Sequence, residues 1–459
     1  MISRASRILL LAAVAQLCAC ATVRDFLIPP ARLAVPSAQE AHASKAPMAD
    51  VVLHVGRIAG ADPEARSIAV RGNRIVSVGP SSQVESLLAP ATQILRYSSS
   101  FVRAGAIATP VRLDAAAMLS DAVDLHIATQ PAAVRGLLAD ARLDVRAAGD
   151  WVWGYGLRKE LLRTMTAADI DASTGGVPVL LTSEDGQAAL LNSAMMLLEP
   201  PSMAEFLLRD GGRAEGLAAL AAWHRAPPLR QERLRPLLLQ ALTEMQQQGI
   251  TEVHVVGGSH ALVEALVMLE HDRRLPLRCV VFLDGELPEG RALLQTSDAP
   301  TKQGLATVMR PNIPSLVRVA GVQFWLDSSN DAGPPHLHYT DAQLEEWILA
   351  ADHTGHQVAL NAISDDATAQ LARVLAALQR PATALPVRVE HASSFLPRGG
   401  PVPAALAVTA PLVPGSIADF VLWSRDPDAP PQPGQPRAEP LLSMVGGQPS
   451  ILSFADRDM

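Results

Sequence analysis

Short apolar runs alternate with helical segments along the middle of the chain, and this alternation strongly constrains the fold. The β-branched runs are Val177–Thr182, Ile250–Val256, Leu275–Leu283, Val317–Leu326, Gln357–Ile363 and Val387–His391. Segments with apolar residues at helical spacing lie between most of them, and Thr340-Asp-Ala-Gln343 has the capping-box pattern that opens a helix. Strands that are apolar throughout and separated by helices are typical of a parallel sheet with both faces covered. The class is therefore α/β, and the runs predict a truncated or incomplete (β/α)8 barrel.

Strand-like patterns also occur at both ends of the chain. Two runs on either side of Gly72-Asn73, at 67–70 and 75–79, predict a β-hairpin. Short runs separated by turn residues return after residue 413. Sequence order prevents these last runs from pairing inside the barrel. We therefore expect a composite β-sandwich of 51–106 with 413–459, and a shortened barrel of 107–412.

The N-terminus has the order of residues that is typical of a secretory signal. Two arginines precede the apolar run Ile8–Ala15, and Leu-Cys-Ala-Cys follows, ending at Cys20. This ending resembles a bacterial lipobox, in which the chain is cleaved before the cysteine and the thiol is acylated. We predict a lipoprotein signal peptide at 1–19 and an Ala/Pro-rich tether at 20–50, with an ordinary cleaved signal or a short anchor as the alternatives.

Lipid on Cys20 predicts a membrane partner and a location in the bacterial cell envelope. A diacylated cysteine supplies the two acyl chains that stable anchoring needs. Ala21 follows it, which favours the outer membrane, facing the periplasm. The net charge of -8 and the lack of a Lys/Arg run argue against nucleic-acid binding. Cys279 would be the remaining thiol, in an apolar run, so we expect it to be buried and inert.

Seven stretches, each weak alone, together indicate the ancestry of the chain. They are Ile68–Gly79, Gly149–Gly156 (GDWVWGYG), Leu180–Ser193 (LLTSEDGQAALLNS), Gly249–His254 (GITEVH), Gln357–Asp365 (QVALNAISD), Arg388–Ala392 (RVEHA) and Val413–Leu422 (VPGSIADFVL). In content and order they resemble the amidohydrolase superfamily, in its family 3 branch that includes N-substituted formamide deformylase. The resemblance implies a barrel flanked by a β-sandwich from both termini.

The resemblance also implies a metal site, of which little remains. The family uses zinc or another divalent metal to activate water, held by a His-x-His pair, often a bridging lysine, two later histidines and a final aspartate. Those positions here hold Pro110, Arg112, Gln187 (in the DGH motif), Gln323 (the lysine position) and Asn361. Proline cannot bind a metal, and arginine stays protonated and would repel one. His391 alone remains, as a vestigial ligand, so we expect no bound metal.

Two carboxylates are retained where the family has them near its pocket, Asp327 and Asp365. Arg112 would then occupy the vacated metal position and pair with one of them, because a buried cation needs a partner. If His391 faces the barrel interior, its neighbour Glu390 should face outward and pair with a cation on an outer helix.

Too few residues separate His391 from the sandwich for two more strand-helix units. The barrel is therefore either open or closed by another segment. His336 and His338 form a new His-x-His pair, for which exposed loop histidines are the alternative interpretation.

These observations predict an envelope lipoprotein of amidohydrolase ancestry that is catalytically inactive, a pseudoenzyme that binds a small molecule or a protein partner. A metal-dependent hydrolase of non-peptide carbon–nitrogen bonds with non-standard ligands is one alternative. A chain that has lost function altogether is another. No Gly-x-Ser-x-Gly elbow and no phosphate-binding glycine motif occurs, so a serine hydrolase or a nucleotide enzyme has no support.

Overall fold

The computed structural model describes residues 48–141, 150–199, 229–295, 315–328, 336–381, 384–390, 407–408, 411–430 and 435–453, with further positions between 207 and 227. Cys20, the predicted signal peptide and nearly all of the predicted tether lie outside these residues, as does His391.

The strands of this part of the chain are, in order, β1 (Val51–Ile58), β2 (Ser67–Arg71), β3 (Arg74–Gly79), β4 (Gln93–Ala104), β5 (Ala106–Val111), β6 (Val123–Asp124), β7 (Val152–Tyr155), β8 (Val179–Thr182), β9 (Ala188–Leu191), β10 (Arg213–Glu215), β11 (Ile250–Gly258), β12 (Arg278–Asp284), β13 (Val317–Trp325), β14 (Asp327–Ser328), β15 (His336–Leu337), β16 (Gln357–Asn361), β17 (Arg388–Glu390), β18 (Ala407–Val408), β19 (Phe420–Trp423), β20 (Pro440–Val445) and β21 (Gln448–Ile451). The α-helices are α1 (Ser81–Glu85), α2 (Leu113–Met118), α3 (Pro131–Ala141), α4 (Lys159–Thr164), α5 (Ala167–Thr174), α6 (Ser193–Met196), α7 (Gln231–Gln247), α8 (His260–His271), α9 (Pro288–Gln295), α10 (Asp341–Thr354) and α11 (Asp365–Ala377).

The two ends of the chain build one seven-stranded sheet, in the order β21-β20-β19-β4-β1-β2-β3. Its N-terminal and C-terminal parts meet where β19 pairs antiparallel with β4, with Phe420 opposite Ala104. The predicted hairpin is β2–β3, and its turn contains Gly72 at a φ of 55°, a value that favours glycine. Leu53 and Phe420 are fully buried in the same core, so the prediction of a β unit built from both ends is confirmed.

The barrel-like sheet has the order β17-β16-β13-β12-β11-β5-β18. Its first six strands are parallel, and β18 pairs antiparallel with the outer edge of β5. Helices α7 to α11 pack their apolar faces on its outside. No ladder joins β17 to β18 within the described residues, so the barrel is incomplete, as predicted.

A third sheet, the inserted sheet, lies between the first and second barrel strands in sequence. It has the order β10-β9-β8-β7-β6, and β6, β7 and β8 are parallel. The run Val177–Thr182, predicted as a barrel strand, contributes β8 to this sheet, so that assignment was wrong. A buried strand gives the same apolar run in either sheet, and the run alone does not reveal its partner strands.

The capped helix predicted at Thr340 is α10. The Thr340 hydroxyl accepts the Gln343 N–H at 3.3 Å, and the Gln343 side chain accepts the Thr340 N–H at 2.9 Å. Gly355 ends the helix in the left-handed conformation. Within the described ranges, no helix is both long and apolar enough to span a membrane.

Candidate functional site

Arg112 lies at the carboxyl end of the barrel, directly after β5. Its side chain is almost fully buried, and its Nη2 donates to Asp114 Oδ2 at 3.2 Å. The guanidinium lies against Gly257 in β11, where a Cβ would be 2.9 Å from Arg112 Cζ. Gly257 also has a φ of +65°, so both the contact and the backbone require glycine.

A second carboxylate, that of Asp284 at the end of β12, acts on the same guanidinium. Burial alone lowers the pKa of Arg112, but the charges of Asp114 and Asp284 outweigh burial and hold that pKa above its usual value. Asp284 is itself only 1% exposed. Arg112 is therefore a permanent buried cation at the end of the barrel where the family holds its metal.

The predicted pairing of Arg112 with Asp327 or Asp365 is wrong, since its carboxylate partner is Asp114. Asp327 is fully buried, but its two oxygens accept the backbone N–H groups of Ile363 at 2.9 Å and Ser364 at 2.7 Å. It thus ties the end of β13 to the loop after β16. Asp365 is exposed in the first turn of α11, where a carboxylate favours the helix dipole.

The other positions that the resemblance implies as former ligand positions hold neutral side chains. Gln323 and Asn361 are each 1% exposed, on β13 and at the end of β16, and Gln323 lies beside Asp284 in the sheet. Pro110 lies within β5. Gln187 is buried between β8 and β9, in the inserted sheet and not on a barrel strand.

The described residues do not fit a divalent metal. No group of three or more His, Cys, Asp or Glu side chains among them is arranged to hold one, whereas a catalytic zinc needs about three protein ligands. Of the new His-x-His pair, His338 bonds through Nδ1 to the carbonyl of Trp325 at 2.8 Å. The side chain of His336 lies outside the described set, as does His391.

A polar network inside the barrel was not predicted. Arg388, the first residue of β17, donates to Glu390, to Thr109 on β5, and to His254 Nδ1 at 2.6 Å. Its guanidinium also lies 5.2 Å from the centre of the Phe282 ring on β12. Arg388 therefore extends across the barrel interior, to strands that are not neighbours of its own.

Through His254 the hydrogen-bond network continues to the amino ends of strands β11 and β12. Because arginine can only donate, His254 Nδ1 accepts, and Nε2 donates to Glu252 Oε1 at 2.7 Å. Glu252 lies 3.4 Å from Arg278, which also binds Asp419, at 3.0 Å, just before β19 of the terminal sheet. The network thus links the barrel to the sheet made by the chain ends.

For an inward-facing His391, Glu390 was expected to pair with a cation on an outer helix. His391 lies outside the described residues, and Glu390 pairs instead within its own strand. Its partner is Arg388, two positions earlier on the same strand and hence on the same face. The alternation along Arg388-Val389-Glu390 is the sequence signal for this pair, because residues two apart on a strand share a face.

Comparison with known proteins agrees with this architecture. Residues 118–411, more than half of the chain, match the amidohydrolase family model. The Arabidopsis thaliana protein "LONG AFTER FAR-RED 3" is 24% identical over 356 residues, covering 70% of this chain and 60% of that relative. This chain therefore spans less than two thirds of that relative's length.

Two solved structures share the fold. An uncharacterised metal-dependent hydrolase from Pyrococcus horikoshii has a TM-score of 0.56 and 17% identity, covering 74% of this chain and 70% of that one. An uncharacterised metal-dependent hydrolase from Pyrococcus furiosus has a TM-score of 0.54 and 19% identity, and the match covers 74% of this chain and 72% of that one. At these identities the likeness concerns the fold alone. Together with the family match, it means that the chain belongs to the amidohydrolase family, in its family 3 branch.

Proposed function

We propose that this protein binds a ligand or a protein partner at the cell envelope and does not perform metal-dependent hydrolysis. The observation that carries the proposal is Arg112, a buried guanidinium held by Asp114 and Asp284 at the carboxyl end of the barrel. A divalent cation there would be repelled by Arg112. It would also find neutral amides where the family supplies histidine and lysine.

Metal content tests this proposal. The full chain, purified in mild detergent, would be incubated with zinc, desalted and analysed by mass spectrometry for zinc, iron, manganese and nickel. We expect less than about a tenth of an equivalent per chain, because one imidazole does not hold zinc tightly. One tightly held equivalent would refute the proposal and favour the alternative, a carbon–nitrogen hydrolase with non-standard ligands.

A variant of the same chain provides the matched control. Pro110→His with Arg112→His restores the His-x-His pair beside Asp284 and removes the opposing charge. We expect this double variant to retain more zinc than the unmodified chain. Equal and substantial zinc in both chains would mean that Arg112 does not prevent metal binding.

The proposal includes a lipid anchor on Cys20, facing the periplasm from the outer membrane. It is supported by the basic, apolar and small-residue order that ends in Leu-Cys-Ala-Cys. The test is metabolic labelling with a fatty acid, followed by separation of the membranes. Cys20→Ser should abolish both the label and the membrane association, whereas the matched variant Cys18→Ser should keep both. Label that persists in Cys20→Ser would exclude this anchor.

A further inference from the structure

The inserted sheet contains a cavity of its own, and its lining includes neither Arg112 nor any residue of the barrel strands. Strands β6, β7 and β8 are parallel neighbours, so their carboxyl ends lie along one edge of the sheet. A cavity of about 470 Å³ opens at that edge, lined by residues that follow all three strands. The cavity therefore lies at the carboxyl ends of parallel strands, and its volume is within the range of small-molecule sites.

A charged pair, Lys159 with Asp185, gives one side of the cavity wall a fixed arrangement. Asp185 Oδ1 accepts the Ser183 hydroxyl at 2.6 Å, and its Oδ2 lies 3.3 Å from Lys159 Nζ. Although burial raises the pKa of Asp185, the bonds from Ser183 and the Gln187 N–H and the charge of Lys159 outweigh it and lower that pKa. The Asp185 carboxylate is therefore ionised and anchors Lys159.

His126 forms the other side of the wall. Its Nδ1 lies 2.8 Å from Asp124 Oδ1, and its ring packs edge-on to Tyr155 with the centroids 5.1 Å apart. Gly156 has a φ of +80°, and a Cβ there would lie 2.3 Å from the His126 ring. The His126 ring therefore packs directly against the backbone of the loop after β7.

Two further charges of opposite sign lie on the lining, on different loops. Arg158 follows β7 and Glu184 follows β8, and both side chains are exposed. Neither forms an ion pair with another described residue, so they do not neutralise each other. Together with the Lys159–Asp185 pair, they make the charged lining neutral overall but divided into a positive and a negative part.

We propose that this cavity binds a small zwitterion of the amino-acid or dipeptide class. The ligand carboxylate would meet Arg158, whose guanidinium suits planar oxyanions, and the ligand ammonium group would meet Glu184. A ligand with a single charge would satisfy one of these side chains and leave the other without a partner. This inference goes beyond the proposed function, because it locates a ligand site outside the barrel and is tested independently of metal binding.

Calorimetric titration of the full chain with blocked and unblocked dipeptides tests the inference. The probes are alanyl-alanine, its N-acetyl derivative, which lacks the ammonium group, and its C-terminal amide, which lacks the carboxylate. We expect alanyl-alanine to bind about tenfold more tightly than either blocked form, the usual effect of one hydrogen bond to a charged group.

Variants of the two side chains test which of them recognises each charge of the ligand. Arg158→Gln should abolish the preference for the free carboxylate only, and Glu184→Gln the preference for the free ammonium group only. Arg163→Gln is the matched control, since Arg163 is also exposed, on α4, but does not line the cavity. These exposed substitutions should leave folding unchanged, which circular dichroism would verify. Equal binding of blocked and free forms, an equal effect of Arg163→Gln, or no binding of alanyl-alanine would each overturn the inference.

Discussion

Replacing Arg388 by methionine should destabilise the barrel far more than replacing a surface arginine. Arg388 is the cation through which β17 reaches β5 and β11 across the barrel interior. Methionine retains most of the aliphatic stem and removes the charge and all of the donors. Glu390, with a side chain 9% exposed, would then be an unpaired carboxylate in the interior.

The expected magnitude follows from how deeply the pair is buried. Removing one partner of a fully buried ion pair costs about 3–5 kcal/mol. The side chain of Arg388 is 18% exposed, so some water reaches it, and we expect the lower limit, about 3 kcal/mol. Removing both charges, in Arg388→Met with Glu390→Gln, should cost only about 1 kcal/mol, because no buried charge then lacks a partner.

Urea unfolding of the full chain, followed by tryptophan fluorescence, measures these differences if the slope of the transition is unchanged. Arg373→Met is the matched control, because Arg373 pairs with Asp341 on the surface, with side chains 61% and 53% exposed. It should cost about 0.5 kcal/mol or less. The reasoning is refuted if Arg388→Met costs no more than this control, or if the double variant is less stable than the single one.

Two other predictions concern buried groups. Gly257→Ala should cost about 1–3 kcal/mol beyond Gly60→Ala in the same urea assay, because both have positive φ but only the Gly257 Cβ would meet Arg112; equal losses would contradict the contact. Burial raises the pKa of the Cys279 thiol, so the thiol should stay protonated and escape iodoacetamide at about pH 8 in the folded chain, but react in urea. Peptide mass spectrometry would detect this, and rapid alkylation without urea would contradict the burial.

The features of the fold that the sequence predicts correctly are those with a local signal. Glycine at the turn between β2 and β3, and a threonine-glutamine capping box before α10, need no knowledge of the rest of the chain. The pairing of the two chain ends in one sheet was predicted from strand-like runs at both ends and from their order in the sequence, in agreement with the family resemblance. The run Val177–Thr182 was misassigned because the choice between two sheets depends on distant strands, which a short apolar run does not identify.

The sequence indicated which residues stand at the candidate site, but it did not predict which side chains contact each other there. The proposed replacement of metal ligands was inferred from single positions of the sequence, and the burial of Arg112 was anticipated. Its partner was not, because Asp327 was already bound to two backbone N–H groups of a loop that only the folded chain brings near. Asp114 and Asp284 were not predicted, because no sequence pattern places the end of β12 beside the residues that follow β5.

If the chain binds no metal, as we propose, arginine can perform one of the two tasks of a metal at the barrel end but not the other. A metal at the barrel end does two things: it ties together strand ends that carry mutually repelling groups, and it activates water as a Lewis acid. Arg112 joins the end of β5 electrostatically to the end of β12. Arg388 joins β17 to β5 and β11, at the side of the sheet where no strand ladder connects the edges among the residues that the structure describes. A guanidinium can do this because it is a permanent cation with five donors, but it has no open coordination position for water. Under the proposed function, the barrel end therefore stays assembled without metal-dependent hydrolysis, which is the combination expected of a protein that binds a ligand or a partner.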